Sequence, residues 1–429
     1  MSARPNLLII LADDHGYGDI SAHDGPHLQT PHIDRIAENG VRLTQFYANS
    51  SVCSPSRAAL MTGRYPDRVG VPGVIRTHPE NNWGYFDTNA VTLPDALHSA
   101  GYDTAHVGKW HLGLNPENHP CRRGFLRFKG FLGDMMDDYY THLRHGNNYM
   151  RDNLETIDPN GHATDLFTDW AVEYLRGRQG AKDPFFLYLA YNAPHTPIQP
   201  PEEWVERVRE REPEASEKRV RYAALVEHMD DRIGRVLDVL KETGLADNTL
   251  VVYTSDNGGQ TNVGADNGPL RGGKGDMYEG GVRVPTCAMW PDAIPSGWVS
   301  DAPGMLIDLL PTFCDAAQAG IPDNIEGRPM LSALKGGTED EPRQEFHYVR
   351  REGDGRFRGN CQRAVRQGSM KLLQNSPFEP LQMYDLSADP YETDDLAPNG
   401  GARFNELGKM FQVETQRAGG AAWQASVDR

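Results

Sequence analysis

The chain is 429 residues long with 38% hydrophobic and 9% aromatic residues, enough for a large core and too apolar for global disorder. Lys and Arg total 43 against 60 Asp and Glu, and the resulting charge of −17 argues against a nucleic-acid binder working through a basic face. No apolar run approaches the roughly 20 residues of a membrane span, and five scattered cysteines without a CxxC pair argue against a disulfide framework or structural zinc.

The first residues run straight into an apolar stretch without a signal-peptide region and cleavage site. The expectation is therefore a cytoplasmic protein, or a periplasmic or secreted one if a leader has been removed. Residues 7–11, Leu-Leu-Ile-Ile-Leu, are continuously apolar, as in a strand buried on both faces of a sheet. Thr30-Pro31 predicts a capped helix start and Gly40 its close. Residues 41–48 alternate as one strand. Residues 54–61 are helical in pattern and end at Gly63; residues 92–100 are another helix, ahead of a strand over 102–107. Residues 185–190 and 250–254 are further buried strands. A helix over 216–243 separates them, with Val220, Ala224, Met229, Ile233, Val236 and Leu240 at helical spacing. The charged, proline-containing stretch 199–217 predicts a solvated loop and helix entry.

Beyond Gly337, strand-like pieces at 345–349, 364–366, 370–374 and 381–384 are too close together for crossover helices, so they predict a small antiparallel sheet. The expected fold is α/β. A large, mostly parallel or mixed sheet covered by helices on both faces occupies residues 1–336, and a smaller C-terminal subdomain with the antiparallel sheet occupies 337–429.

Five expected strand ends deliver reactive groups. Asp13-Asp14 and Asp256-Asn257 each follow a buried strand, and open α/β sheets bind ligands at the carboxyl ends of strands. Neighbouring carboxylates repel unless a cation or donors neutralise them. Two such pairs converging make an all-oxygen site for a hard cation, calcium or magnesium. Cys53-Ser54-Pro55-Ser56-Arg57 opens a helix, where free N–H groups favour anions and Arg57 adds a charge-assisted fork. That physics points either to an activated thiol or to an anion pocket. Lys109-Trp110-His111, His195 in Asn192-Ala193-Pro194-His195, and Lys274 in Arg271-Gly272-Gly273-Lys274-Gly275 complete the set. Singly, each has a plain structural reading: a solvated acid, a buried cysteine, a surface lysine, a loop histidine. Their agreement across separate strand ends is what argues for one site.

Residues 53–63, Cys-Ser-Pro-Ser-Arg-Ala-Ala-Leu-Met-Thr-Gly, match the C-x-P-S-R…T-G signature of the cysteine-type, formylglycine-dependent sulfatases, arylsulfatase-like enzymes of the alkaline phosphatase superfamily. Residues 101–111, ending Gly108-Lys109-Trp110-His111, resemble their second signature. The tail at 383–392, Met-Tyr-Asp-Leu-Ser-Ala-Asp-Pro-Tyr-Glu, is similar to the family's terminal L-Y-D-L-x-x-D-P-x-E. Leu126 departs from the G-F-D that many members carry, outside the catalytic set.

The resemblance implies that a formylglycine-generating or sulfatase-maturating enzyme converts Cys53 to formylglycine. Its hydrated aldehyde attacks sulfur, and the second hydroxyl of the sulfated hemiacetal then drives sulfate out. It implies calcium, with magnesium second, held by Asp13, Asp14, Asp256, Asn257 and the oxygen of residue 53. Asp256 is also implied as acceptor of the diol proton, Arg57, Lys109 and Lys274 as sulfate-binding cations, His195 as leaving-group acid and His111 as base for the release step. The implied substrate is a sulfated saccharide, and residues 122–153 offer sugar-handling groups in Arg127, Lys129, Asp137, Tyr139, Tyr140, His142, Arg144 and His145. A −17 surface repels a long polyanion, so chain ends or short saccharides are expected rather than polymer interiors. The alternatives are a phosphate or phosphonate ester hydrolase on the same scaffold, and a calcium-dependent glycan-binding protein that keeps its thiol. Neither nucleic acid nor membrane is an expected partner, and the oligomeric state is not legible.

Overall fold

The computed structural model describes residues 4–422 except 24, 26, 338–341 and 354–360. Its main sheet has ten strands. Five parallel strands form the centre, in the order Thr249–Ser255, Asn6–Ala12, Phe185–Ala190, Asp103–Lys109 and Arg127–Phe131. Thr286–Met289 adds antiparallel on one side, and Met150–Asp152 on the other. Leu7 sits opposite both Phe186 and Leu250, so the first strand of the chain lies at the centre of the sheet.

That placement explains the unbroken apolar run. Leu7, Ile9 and Leu11 pack on one face with Leu60, Leu97 and Phe313, while Leu8, Ile10 and Ala12 pack on the other with Phe167, Leu225 and Ile233. Each fully buried Leu or Ile contributes about 1.5–3 kcal/mol.

Three expectations are corrected by tertiary contacts. The helix Pro31–Glu38 receives no side-chain cap from Thr30. Instead, the Asp230 carboxylate on helix Glu217–Glu242 accepts from the N–H groups of His32 (3.1 Å) and Ile33 (2.8 Å). The expected strand over 41–48 is two pieces: Val41–Leu43 joins the main sheet, whereas Phe46–Tyr47 pairs with Gly304–Met305. The stretch read as a solvated loop contains the helix Glu202–Arg211, whose Trp204, Val205 and Val208 are buried with Val220, Ala223 and Ala224. Its apolar face spans only two turns and is hidden among charges in the sequence.

The C-terminal sheet is an antiparallel meander of Glu345–Arg351, Cys361–Gln367, Met370–Gln374 and Gln382–Asp385. The helix Gly401–Arg417 covers it through Leu407, which packs with Val365, Leu372 and Met383.

One buried group gives the fold a pH signature. His106 is stacked between Phe128 and Tyr188, with centroids 5.1 and 4.7 Å away, and its Nδ1 lies 3.0 Å from the Tyr188 carbonyl. Burial pushes its pKa down to about 3. The unfolded chain binds this proton below about pH 6.5 and the fold does not, so stability is withdrawn as pH falls through that range. His106→Phe is expected to gain roughly 2–3 kcal/mol over the wild type between pH 7 and pH 4.5. Urea unfolding at both pH values checks this, and a constant difference between the proteins would refute it.

Candidate active site

Four neighbouring parallel strands end at one edge and there bring the expected groups together. Asp13-Asp14 leaves the strand Asn6–Ala12, Asp256-Asn257 leaves Thr249–Ser255, Lys109 ends Asp103–Lys109, and Phe185–Ala190 runs into the loop of His195. The Asp14 N–H donates to Asp256 Oδ1 (3.1 Å), and Asn257 Nδ2 donates to Asp14 Oδ1 (2.8 Å). Lys109 Nζ pairs with Asp13 Oδ2, and Lys274 Nζ donates to Asp14 Oδ2 at 2.6 Å. Gly258 makes the turn after Asn257 possible, because a Cβ there would stand 1.9 Å from the Gly280 carbonyl oxygen.

Cys53 is the first residue of the helix Cys53–Thr62, which Gly63 closes in the left-handed region with φ 65°. The Ser56 hydroxyl donates to the Ser50 carbonyl (3.1 Å) and accepts from the Ser50 N–H (3.2 Å), shaping the turn ahead of it. The Cys53 Sγ lies 3.9 Å from Asp14 Oδ1 and is 3% exposed. One turn along, the buried Arg57 places Nε and Nη2 at 2.9 and 2.7 Å from Asp256 Oδ2, and its Nη1 donates to the Lys109 carbonyl (3.1 Å).

Both histidines lie close enough to Asp13 and Lys109 to feel their charges. His111 donates from Nε2 to the Ile75 carbonyl (2.8 Å), and its buried Nδ1 has no hydrogen-bond partner. The Ile75 N–H in turn donates to Ser54 Oγ (3.0 Å), tying His111 to the Cys53 helix. His195 Nδ1 lies 2.6 Å from the Thr196 carbonyl, while Nε2 is 3.6 Å from Asp14 Oδ2.

Burial pushes the Cys53 thiol up, against the pull of Lys274, while a cation beside it would pull the thiol down. Of the two chemistries left open for this position, the three cations around it, Arg57, Lys109 and Lys274, favour the anion pocket. Burial, then the neighbouring Lys274, pushes His195 down; burial, then Lys109 and Arg57, holds His111 well below its usual range. Burial and Asp13 push Asp256 up to about 7. Burial opposes ionisation of Asp13 as well, but Lys109 and His195 outweigh it and hold that carboxyl low.

The donor set fits a hard divalent cation. Asp13 Oδ1 and Asn257 Oδ1 are buried acceptors without a hydrogen-bond donor. Ligand-type atoms of Asp13, Asp14, Cys53 and His195 all lie within 4.8 Å of one another. Buried oxygens lacking donors are satisfied by a cation, and carboxylate and amide oxygens select calcium or magnesium. A second cluster, His162, Asp165 and His228, is already engaged. His162 lies 3.2 Å from the Thr164 N–H and 3.0 Å from the Gln199 carbonyl, and Asp165 pairs with Arg232.

The sugar-handling candidates at 122–153 mostly serve the fold. Arg127 pairs with Asp103 at the opposite end of the sheet (3.2 Å), Lys129 with Asp152 (3.3 Å), and Arg144 with Asp134 (2.9 Å) and Asp137 (2.7 Å). His142 bonds the Gly161 carbonyl (2.9 Å). Tyr139 is buried, and its hydroxyl lies 2.8 Å from the carbonyls of both Asn192 and His195. It braces the His195 loop, a role no sequence spacing signals. Tyr140 and His145 are exposed, as are the ion-paired Arg127 and Asp137.

Comparison with known proteins places the chain in a family. The family model "Sulfatase" matches residues 5–319, and "N-sulphoglucosamine sulphohydrolase, C-terminal" matches 273–415. N-acetylgalactosamine-6-sulfatase of Canis lupus familiaris is 34% identical over 80% of this chain and 68% of its own. The crystal structure of Ps i-CgsB in complex with k-i-k-neocarrahexaose has a TM-score of 0.89 at 31% identity, covering 99% of this chain and 96% of that one. BT4656, in complex with its substrate D-glucosamine-2-N,6-O-disulfate, shares the fold at a TM-score of 0.79 and 23% identity, over 99% of this chain and all (100%) of that one. With likeness of that extent in both sequence and fold, the chain belongs to the sulfatase family of the alkaline phosphatase superfamily and is an enzyme that hydrolyses sulfate esters.

Proposed function

We propose that this sulfatase removes sulfate from a sulfated saccharide, at chain ends or from short fragments, with Cys53 matured to formylglycine and calcium at the acid pairs, magnesium being second choice. The observation that carries the reading is the convergence of Lys109 and Lys274 on Asp13 and Asp14 beside residue 53. Once those acids are shared with a cation, both ammoniums have charge to spare for a sulfate oxygen. Asp13, Asp14, Asp256, Asn257 and the residue-53 oxygen would hold the ion. The formylglycine hydrate supplies the nucleophile and calcium the Lewis acidity. A formylglycine-generating or sulfatase-maturating enzyme is the partner this requires.

The chain's own side chains divide the remaining work. Arg57, Lys109 and Lys274 neutralise charge on the transferred group. Asp256, beside Arg57, accepts the proton of the attacking hydroxyl. His195 delivers a proton to the leaving oxygen, and His111 accepts one at its unpartnered Nδ1 during release. Positioned acids and bases of this kind contribute about 10²–10⁴-fold each.

The names of the relatives support a saccharide: one is an N-acetylgalactosamine-6-sulfatase by name, and one was solved in complex with k-i-k-neocarrahexaose. Charge and depth support chain ends. Lys109 is fully buried, His195 is 8% exposed, and the surrounding chain carries −17. A polymer interior meets that field before it meets the three cations. Desulfation of a sulfated polymer and of its enzymatically shortened fragments, at matched sulfate concentration, tests this. Fragments are expected to react faster, with the gap widening at low ionic strength. Equal or faster release from the polymer overturns the chain-end reading. A phosphonate or phosphate ester turned over faster than every sulfate ester tried overturns the sulfate assignment, and saccharide binding without turnover by a chain retaining the Cys53 thiol favours a binding protein.

A further inference from the structure

The terminal motif at 383–392 takes no part in the chemistry above, yet its last residue is fully buried against the segment that carries Lys274. That segment is a closed loop, since the Gly280 N–H donates to the Arg271 carbonyl (2.8 Å). Within it, the Lys274 N–H donates to the Gly259 carbonyl (3.0 Å) and the Gly275 N–H to the Ser51 carbonyl (2.9 Å). Lys274 is thus wedged between the Asp256–Asn257 turn and the chain just before Cys53. Gly273 leaves no slack, because a Cβ there would stand 2.6 Å from the Gly259 carbonyl oxygen.

Glu392 touches both feet of this loop. Its Oε2 accepts from the Glu279 N–H (2.6 Å), and its carbonyl accepts from Arg271 Nη1 (2.6 Å). Arg271 also donates to the Tyr384 hydroxyl (3.1 Å) and lies 3.9 Å over the Tyr278 ring. Glu392 Oε1 is 2.9 Å from Lys371 Nζ, which lies 2.9 Å from Glu279 Oε1 as well. Glu392 itself has φ 56°, a left-handed conformation uncommon for this residue type, so the contacts hold the backbone as well as the side chain.

We propose that Glu392 is a positioning residue for sulfate binding: by holding Arg271 and Glu279 at the two feet of the loop, it fixes Lys274 against Asp14 and couples the C-terminal sheet to the active site. The inference rests on Lys274 being a sulfate-binding group. Charged hydrogen bonds that are buried and shared among several partners lose their geometry when one partner is shortened. Sulfate affinity, more than the fold, carries the cost.

The test uses the full-length, matured enzyme, with inorganic sulfate as competitive inhibitor and a sulfated monosaccharide as substrate. Glu392→Asp keeps the charge opposite Lys371, tolerates the left-handed backbone and withdraws by one methylene; Glu392→Ala removes the group. Both are expected to raise the inhibition constant for sulfate and KM about 5–20-fold, with kcat changed about threefold or less. In a Lys274→Ala background, Glu392→Asp is expected to add less than about twofold, because the group it positions is gone. If Glu392→Ala does not fold, Glu392→Asp decides. A cooperatively melting Glu392→Asp protein with unchanged sulfate inhibition, or effects that multiply with Lys274→Ala, overturns the inference. Lys274→Ala alone with unchanged sulfate inhibition overturns the role of Lys274 first. Weaker sulfate binding in Lys274→Ala but not in Glu392→Asp overturns only the role of Glu392.

Discussion

Replacing Cys53 with alanine is expected to lower turnover of sulfate esters by at least about 10⁴-fold, with little change in the melting temperature. Among the described residues the thiol's one hydrogen bond is long, 3.9 Å to Asp14, and the substitution removes a single buried sulfur atom, a small cost beside the fold's stability. Under the proposed mechanism the reaction loses its nucleophile entirely. Cys53→Ser distinguishes formylglycine from a simple hydroxyl. A serine can take the sulfuryl group but lacks the second hydroxyl that expels sulfate, so at most a single turnover is expected. Peptide mass spectrometry of active wild-type protein closes the argument: a fully retained thiol together with full turnover would end the mechanism, since a thiol cannot form the two-hydroxyl hydrate.

The second large effect falls on the ion. Asp14 is the acceptor shared by Lys274, Asn257 and the Cys53 thiol. Asp14→Ala is expected to lower activity on the order of 10³-fold or more. Asp14→Ala relieves repulsion with Asp13 and Asp256 but leaves Lys274 without its partner, so a cooperative thermal melt is read alongside activity to separate loss of the ion from loss of the fold. Calcium is expected to raise the melting temperature of the wild type, by about 2.7 kcal/mol of added stability at 100 times its Kd. It should do almost nothing for Asp14→Ala. Chelation should silence the wild type reversibly, with calcium restoring more activity than magnesium. An equal calcium-induced shift in both proteins would move the ion away from these residues.

The groups most legible in the sequence are those whose chemistry is local. Leu7 to Leu11 announce a central strand because both faces are buried, and Cys53-Ser54-Pro55-Ser56-Arg57 carries its own helix start. Asp13-Asp14 and Asp256-Asn257 are conspicuous as paired polar groups directly after apolar runs. What stayed hidden depends on distant partners. The cap of Pro31–Glu38 comes from Asp230, almost two hundred positions away, where no local pattern could reveal it. Tyr139 looks like a sugar platform in sequence and becomes a brace for His195 only because its hydroxyl meets two carbonyls of another loop. The strand expected over 41–48 broke because Phe46–Tyr47 found Gly304–Met305, a choice between sheets that alternation does not encode.

The order of strands in the main sheet also sets a schedule for synthesis. The strand Asn6–Ala12 has one neighbour at Phe185–Ala190 and the other at Thr249–Ser255. Translated at ~5–20 residues per second, the later of these leaves the ribosome roughly 10–40 s after Cys53 does. Until Phe185–Ala190 emerges the first strand has neither neighbour, and until Asp256 and Lys274 follow, the wall of acids and lysines around the start of the Cys53 helix is incomplete. Pairings so distant along the chain close slowly. The modifying enzyme that the proposed mechanism requires would therefore meet residue 53 on a growing, open chain, and the same delay leaves Leu7 to Leu11 as a sticky segment awaiting its neighbours.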